Sequence, residues 1–317
     1  MAAKMGLGLS IQERLLQLPL YTDNKLRSVT HLVSNYRSNE ALLAIPSNLF
    51  YNGKLEALAP ESVANPFQDF GDMGEAGFPL LLCDIPHGEE RSKLDTPSFF
   101  NLDECHAIAS LAKGILNCKS KDKINPLHTG EISVITPFRA QVLALRTVLR
   151  GANLGGINVG VVEDFQGQEA KVVFISTVLT RNHQRWKQAP SSTSGEDTED
   201  NSSGVQRLSF LHDPKSFNVA ITRAHALCVI VGHAAYLESS GTYWAVLMDH
   251  IRRNDGVLGV ECDTSEDGHQ MDDDPYGIVD LMRRVEALQL LGSGTEEGRN
   301  DLSYYYSDVP QWKVMLS

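Results

Sequence analysis

The stretch Ile132-Ser133-Val134-Ile135-Thr136-Pro137-Phe138-Arg139-Ala140-Gln141, continued by an amphipathic run to Leu149 and by Asn158-Val159-Gly160-Val161-Val162, decides the fold class. Residues 132–136 form a short continuous apolar run, the pattern of a strand covered on both faces. Pro137 opens a helix, because a missing N–H costs nothing in a first turn. The same rhythm continues outward: strands over 79–83, 172–178 and 226–232, helices over 103–116 and 215–223. Strand alternating with helix predicts an α/β fold, a parallel sheet with helices on both faces. In such sheets ligands gather beyond the carboxyl ends of the strands, where Thr136–Arg139 and Glu163–Glu169 are expected.

Composition bounds the function class. The chain has 317 residues, 42% hydrophobic and 21% charged, which suits a soluble globular core, and its formal net charge is −12. That balance argues against a generally basic nucleic-acid binder, so any phosphate contact is local. Cys83, Cys105, Cys118, Cys228 and Cys262 lack the pairing or histidine spacing of a zinc site or a disulfide framework. The start has neither the basic region nor the apolar run of a signal peptide, and no stretch is long enough to span a membrane, so no membrane partner is expected. Two polar, acidic stretches, 191–204 and 261–274, lack apolar residues to bury and read as disordered.

Three strings carry chemistry. Leu32-Val33-Ser34-Asn35-Tyr36-Arg37-Ser38-Asn39 sets an arginine beside an aromatic ring; a guanidinium can fork onto phosphate oxygens while a ring packs on a base. Val161-Val162-Glu163-Asp164-Phe165-Gln166-Gly167-Gln168-Glu169 is a polar loop in which Gly167 allows close backbone approach. Phe217-Asn218-Val219-Ala220-Ile221-Thr222-Arg223-Ala224 follows about fifty residues later. A fourth string misleads: Asp103-Glu104-Cys105-His106 has the letters of a magnesium-holding acidic box. Such a box needs a buried strand before it, whereas here Asn101 and Glu104 are spaced as a helix start, so the reading is a capped helix.

In this order the strings resemble the second motor domain of Upf-like superfamily 1 RNA helicases, closest to the Armitage branch linked to small-RNA silencing, over residues 6 to about 260. The resemblance implies a RecA-like domain over 31–260 with an insertion at 181–207. It also implies a helical lead-in over 1–30 from a first motor domain, and an acidic linker, short helix (277–291) and tail over 261–317. Arg223 is implied as an arginine finger and Arg37 as its phosphate-binding companion, with Tyr36, Gly167 and Glu169 on the nucleotide and Glu169 accepting from ribose hydroxyls. Thr136, Pro137, Phe138, Glu163, Ser176 and Thr177 are implied on the nucleic-acid side.

The implied ligands are ATP with Mg2+, shared with the first motor domain, and single-stranded RNA, with DNA left open. Movement would run 5′ to 3′. The implied setting is cytoplasmic, in ribonucleoprotein granules, with small-RNA silencing proteins as partners. The chain lacks G-x-x-x-x-G-K-[ST] and begins where the family leaves its first motor domain. By itself it is therefore expected to bind nucleotide weakly and not to hydrolyse it. The rival reading is a non-catalytic remnant that holds RNA or a partner. The cluster Arg181-Asn182-His183-Gln184-Arg185-Trp186-Lys187 reads as a surface loop, or as added stacking for RNA.

Overall fold

The computed structural model describes residues 9–22, 29–64, 78–86, 88, 90–92, 98–117, 127–180, 213–240 and 242–258. The insertion at 181–207, its basic-aromatic cluster, the tail from 261 and the helix over 277–291 lie outside the described residues. In chain order the strands are β1 (Ser34–Asn35), β2 (Glu56–Ala57), β3 (Leu80–Asp84), β4 (Glu90–Ser92), β5 (Phe99–Asn101), β6 (Ile132–Thr136), β7 (Asn158–Val161), β8 (Ala170–Ser176), β9 (Ala224–Gly232) and β10 (Val257–Leu258). The helices are α1 (Ile11–Leu16), α2 (Pro19–Thr22), α3 (Glu40–Phe50), α4 (Glu61–Ala64), α5 (Leu102–Asn117), α6 (Arg139–Gly151), α7 (Pro214–Ile221), α8 (Ala234–Ser239) and α9 (Tyr243–Arg253).

Six strands form one sheet in the order β10-β3-β9-β8-β6-β7, with every neighbouring pair parallel. Alternation along the strands sends side chains to two cores. Leu80 and Leu82 of β3 join Leu42 of α3, Phe217 of α7 and Trp244 and Ile251 of α9 on one face. Leu81 and Cys83 join Ile108 of α5 and Leu145 and Leu149 of α6 on the other. Burial on both faces is why these strands read as continuous apolar runs rather than as alternating ones. The chain thus has the RecA-like architecture of a parallel sheet sandwiched by helices.

Local chemistry fixes the elements. Asp213 caps α7, accepting from the amides of Lys215 at 3.2 Å and Ser216 at 2.9 Å, with Pro214 in the first turn. That helix stops at Ile221, two residues short of the expected end at 223, because Thr222 Oγ1 donates to Asn218 O at 2.6 Å and closes the last turn. The strand expected over 172–178 is Ala170–Ser176 instead. Val178 leaves it with a φ of 68°, outside any strand conformation. Asp103 and Glu104 do lie in the first turn of α5, where the Glu104 amide donates to Asn101 Oδ1 at 3.2 Å.

Candidate functional site

The register of the sheet separates the candidate residues into two groups. Val161 pairs with Thr136, and Ile135 with Ile175, so Thr136, Ser176 and the residues just beyond them lie at the carboxyl edge. Ala170 pairs with Ala224 at the opposite edge, which places Glu169 and Arg223 at the amino ends of β8 and β9. The loop Glu163–Glu169 therefore does not sit wholly beyond the strand ends, as expected from the general rule for α/β sheets. It starts at the carboxyl edge, turns at Gly167 with a φ of 79°, and returns along the sheet to the amino edge. A parallel β8 requires that return: its chain must enter from the same side as β7.

At the amino edge, the segment around Arg37 is stitched to the start of β9. Asn35 Oδ1 accepts from the amides of Arg37 and Ser38, each at 2.9 Å, forming a tight side-chain turn. Ser38 Oγ donates to Ala224 O at 2.8 Å and the Asn39 amide to His225 O at 2.9 Å. This anchoring aims Arg37 at Glu169, with which it forms an ion pair, while its Nη1 donates to Thr222 O at 3.4 Å. Arg223 is half-buried and turned onto its own neighbourhood. It donates from Nε to Val219 O at 3.0 Å, from Nη1 to Gln168 O at 3.3 Å and from Nη2 to Thr222 Oγ1 at 3.2 Å. Tyr36 is exposed, 69% of its surface facing solvent.

The electrostatics follow from this crowding. The Arg37 hydrogen bond holds the Glu169 carboxyl below the usual carboxylate range, helped by the nearby His225. Burial, and then the Arg37 guanidinium, push Arg223 below the ordinary arginine value, with Glu169 opposing them. Two guanidiniums at one edge, one half-desolvated and one paired with the Glu169 carboxylate, gather positive charge locally in an otherwise acidic chain. Three contributors here escaped sequence reasoning. His225 Nε2 lies 3.3 Å from Glu169 Oε1, in ion-pair range but poorly angled for a hydrogen bond. Tyr51 OH accepts from Asn218 Nδ2 at 3.0 Å, and Gln168 lends its carbonyl to Arg223. The spacing of His225, two residues past Arg223 at a strand start, was the one available signal.

At the carboxyl edge the expected contacts divide. Glu163 is exposed and Pro137 partly so. Phe138 is 8% exposed and packs edge-on against Phe99, with centroids 5.4 Å apart, so it is part of the core more than of the surface. Thr136 is fully buried, yet its Oγ1 has no hydrogen-bond partner. Ser176 and Thr177 are fully buried too. Their hydroxyls face inward: Ser176 Oγ donates to Glu104 Oε2 at 2.6 Å, and Thr177 Oγ1 to Val231 O at 3.4 Å. The α6 start is not wholly open either, because Ser98 Oγ accepts from the Ala140 amide at 3.0 Å. Among the described residues no group of three or more His, Cys, Asp or Glu could hold a metal, and no helix is long and apolar enough to cross a membrane.

Comparison with known proteins bears on the family of the chain. The family described as "AAA domain" matches residues 7–235, more than half of the chain. The chain is 30% identical over 309 residues to a zebrafish protein named "Putative helicase mov-10-B.2", covering 94% of this chain and 28% of that one. It is 35% identical over 257 residues to the human "RNA helicase Mov10l1", covering 78% of this chain and 20% of that one. It is 31% identical over 232 residues to the human "Probable helicase with zinc finger domain", covering 72% and 11%. The chain belongs to the Upf-like superfamily 1 helicases. Within them its relatives include the MOV-10 and Mov10l1 proteins, and it spans roughly a quarter of the length of the former. For this helicase domain, the division between two sheet edges means that nucleotide and nucleic-acid candidates do not share one pocket. They meet through the segment Glu163–Glu169 and through β8.

Proposed function

We propose that this domain is the second motor half of an ATP-dependent RNA helicase, which contributes one wall of the nucleotide cleft and part of the track for single-stranded RNA. The observation that carries the reading is the amino-edge cluster: Arg37, Arg223, Glu169 and exposed Tyr36, drawn from three distant segments by the Asn35 turn and the start of β9. The residues fit a nucleotide. Arg37 and Arg223 supply forked donors for phosphates, Glu169 an acceptor for ribose hydroxyls, and Tyr36 a ring face for the base. When bound, ATP supplies the phosphoryl group whose transfer to water drives the cycle, with Mg2+ held by the first motor domain.

Arg223 acts as the finger that stabilises charge developing on the transferred group, an effect of about 10³ to 10⁵ in rate. In the present conformation three of its five N–H donors go to Val219, Gln168 and Thr222, which leaves one on Nη1 and one on Nη2 for a phosphate at this edge. The exposed apolar side chains of α1 and α2, among them Ile11 at 74% and Leu20 at 55%, suit a surface packed against a first motor domain. Alternate opening and closing of the two halves shifts the grip on RNA in small steps, 5′ to 3′ as in the family. A cytoplasmic place in ribonucleoprotein granules and a role with small-RNA silencing proteins belong to the same reading.

The test joins this chain to a first motor domain with its glycine-rich phosphate loop. RNA-stimulated ATP hydrolysis is expected, lost by about three orders of magnitude in Arg223→Ala with RNA affinity within a few-fold of the parent. The isolated 317-residue chain is expected to bind nucleotide weakly and to leave it intact. Hydrolysis by the isolated chain, abolished by Arg223→Ala, would sink the two-wall reading; RNA binding without hydrolysis in the joined protein would favour the non-catalytic alternative. Matched RNA and DNA strands decide between the two nucleic acids.

A further inference from the structure

Val178 is a β-branched residue with a φ of 68°, and the Leu179 amide donates to Thr177 O at 2.8 Å across it. This is a γ-turn of the rare left-handed kind, disfavoured by any side chain and most of all by a branched one. It stands at the carboxyl end of β8. What holds it is a fully buried carboxylate: the Val178 amide donates to Glu104 Oε1 at 2.9 Å and to Oε2 at 3.0 Å. Ser176 Oγ donates to the same carboxylate at 2.6 Å and accepts from Gln141 Nε2 at 2.8 Å. Gln141 Oε1 in turn accepts from the Asn101 amide at 2.8 Å, and its Nε2 donates to Asn101 O at 3.1 Å. Asn101, Glu104, Gln141 and Ser176 are each fully buried, so one polar network ties the first turns of α5 and α6 to the ends of β5 and β8.

Strained backbone persists only where surrounding structure over-determines it, and it collects at ligand-gripping sites. The turn lies one strand from Thr136, whose buried hydroxyl has no partner. We propose that Glu104 is a positioning residue of the nucleic-acid edge: its carboxylate clamps the buried Thr177-Val178-Leu179 turn in its strained form and, through Ser176 and Gln141, fixes from beneath the start of α6 where partly exposed Pro137 and exposed Arg139 face a single-stranded phosphate backbone. This rests on the RNA-helicase reading above but assigns a role that neither the acidic string around Glu104 nor the motif strings suggested. Glu104 touches no ligand; it acts through Val178 and Ser176. A charge-assisted bond to an amide is the device suited to the task, since it gains strength from burial.

The experiment is a pair of substitutions in the full 317-residue chain, with a single-stranded oligouridine as probe. Glu104→Gln removes the charge, keeps the shape and is expected to weaken binding about tenfold, the worth of one charged hydrogen bond. Val178→Gly adopts the left-handed turn without strain, so it should bind like the parent and, combined with Glu104→Gln, restore affinity to within about threefold. A purely structural carboxylate would lower thermal stability in Glu104→Gln without that rescue, and this result overturns the proposal, as does unchanged affinity in the folded variant. Should Glu104→Gln not fold, Ser176→Ala, which strips one ligand from the carboxylate, is expected to weaken binding in the same sense, and unaltered binding overturns the proposal. Parent protein that binds no oligouridine refutes the reading of this half as part of an RNA track, and the role with it; slow hydrogen exchange at the Val178 amide then reports separately whether the clamp exists.

Discussion

The Arg37–Glu169 pair gives the sharpest quantitative test of how the amino edge works. Its side chains are 29% and 47% exposed, so both charges stay largely hydrated and the pair belongs with surface ion pairs, worth about 0.2–1 kcal/mol. In a double-mutant cycle of Arg37→Ala, Glu169→Ala and both together, thermal unfolding should show a coupling of that size, shrinking as salt rises. Glu169 is held below the usual carboxylate range, chiefly by the Arg37 hydrogen bond, so its contribution is present above about pH 4.3 and is lost as pH falls through the lowered folded value. A pair this weak costs nucleotide binding at most about fivefold when it opens. Losing an acceptor for the ribose hydroxyls costs about 1.5–3 kcal/mol, or roughly 10- to 150-fold. In a protein carrying both motor domains, Glu169→Ala should therefore weaken ATP by more than about tenfold and erase most of the preference over 2′-deoxy-ATP. A coupling above about 2 kcal/mol would make the pair a structural clamp rather than a recruitable cation, and unchanged ATP affinity in Glu169→Ala would remove the ribose role.

Three further outcomes follow from single geometries. Thr136→Val replaces a fully buried hydroxyl that has no partner, so it should leave the denaturant midpoint unchanged or raised; a lowered midpoint would contradict the unpartnered hydroxyl. Gly232→Ala places a methyl about 1.9 Å from Thr177 Oγ1, and the overpacking should cost about 1–3 kcal/mol in chemical denaturation, partly recovered by adding Thr177→Ala. His106, His225 and His250 are each pushed below the ordinary imidazole value by burial. The unfolded chain then takes up protons that the folded one refuses, so stability should decline as pH falls below about 6.5, and His225→Gln should flatten part of that slope. Stability that holds constant between about pH 7 and 5.5 would contradict the burial of these rings.

Much of this architecture is legible in the sequence because each level agrees with the next. The run Ile132–Thr136 is a strand end to end, and its apolar continuity reflects the two buried faces. Asn101 spaced three before Glu104 marks the start of α5, as its hydrogen bond bears out, so Asp103-Glu104 belongs to a helix start and not to a metal-holding strand end. What sequence could not supply is direction in space. Local pattern says that Glu169 follows a strand and not that a parallel β8 must carry it back to the far edge. Nor does it say that Ser176 and Thr177, polar at a strand end, point inward. Gln141 and Glu104 lie in separate segments, and their joining depends on contacts 40 and 72–74 residues apart.

The separation of the two edges constrains any mechanism. β8 has 7 residues, which at about 3.3 Å each makes a strand of roughly 23 Å between Glu169 at one end and the Val178 turn at the other. Its residues are buried almost throughout and bonded to β6 and β9 along its length, so the sheet is not a plausible place for a graded deformation. An event at Arg37, Glu169 or Arg223 therefore reaches the carboxyl edge in one of two ways: by rigid-body displacement of the whole domain, or through the exposed return segment that begins at Glu163 and turns at Gly167. The two routes differ in what they require of Gly167. No neighbouring atom would meet a Cβ there, so Gly167→Ala tests only its left-handed backbone. If the return segment carries the coupling, Gly167→Ala in the two-domain protein should reduce RNA stimulation of ATP hydrolysis while each ligand still binds. If rigid-body motion carries it, stimulation should survive.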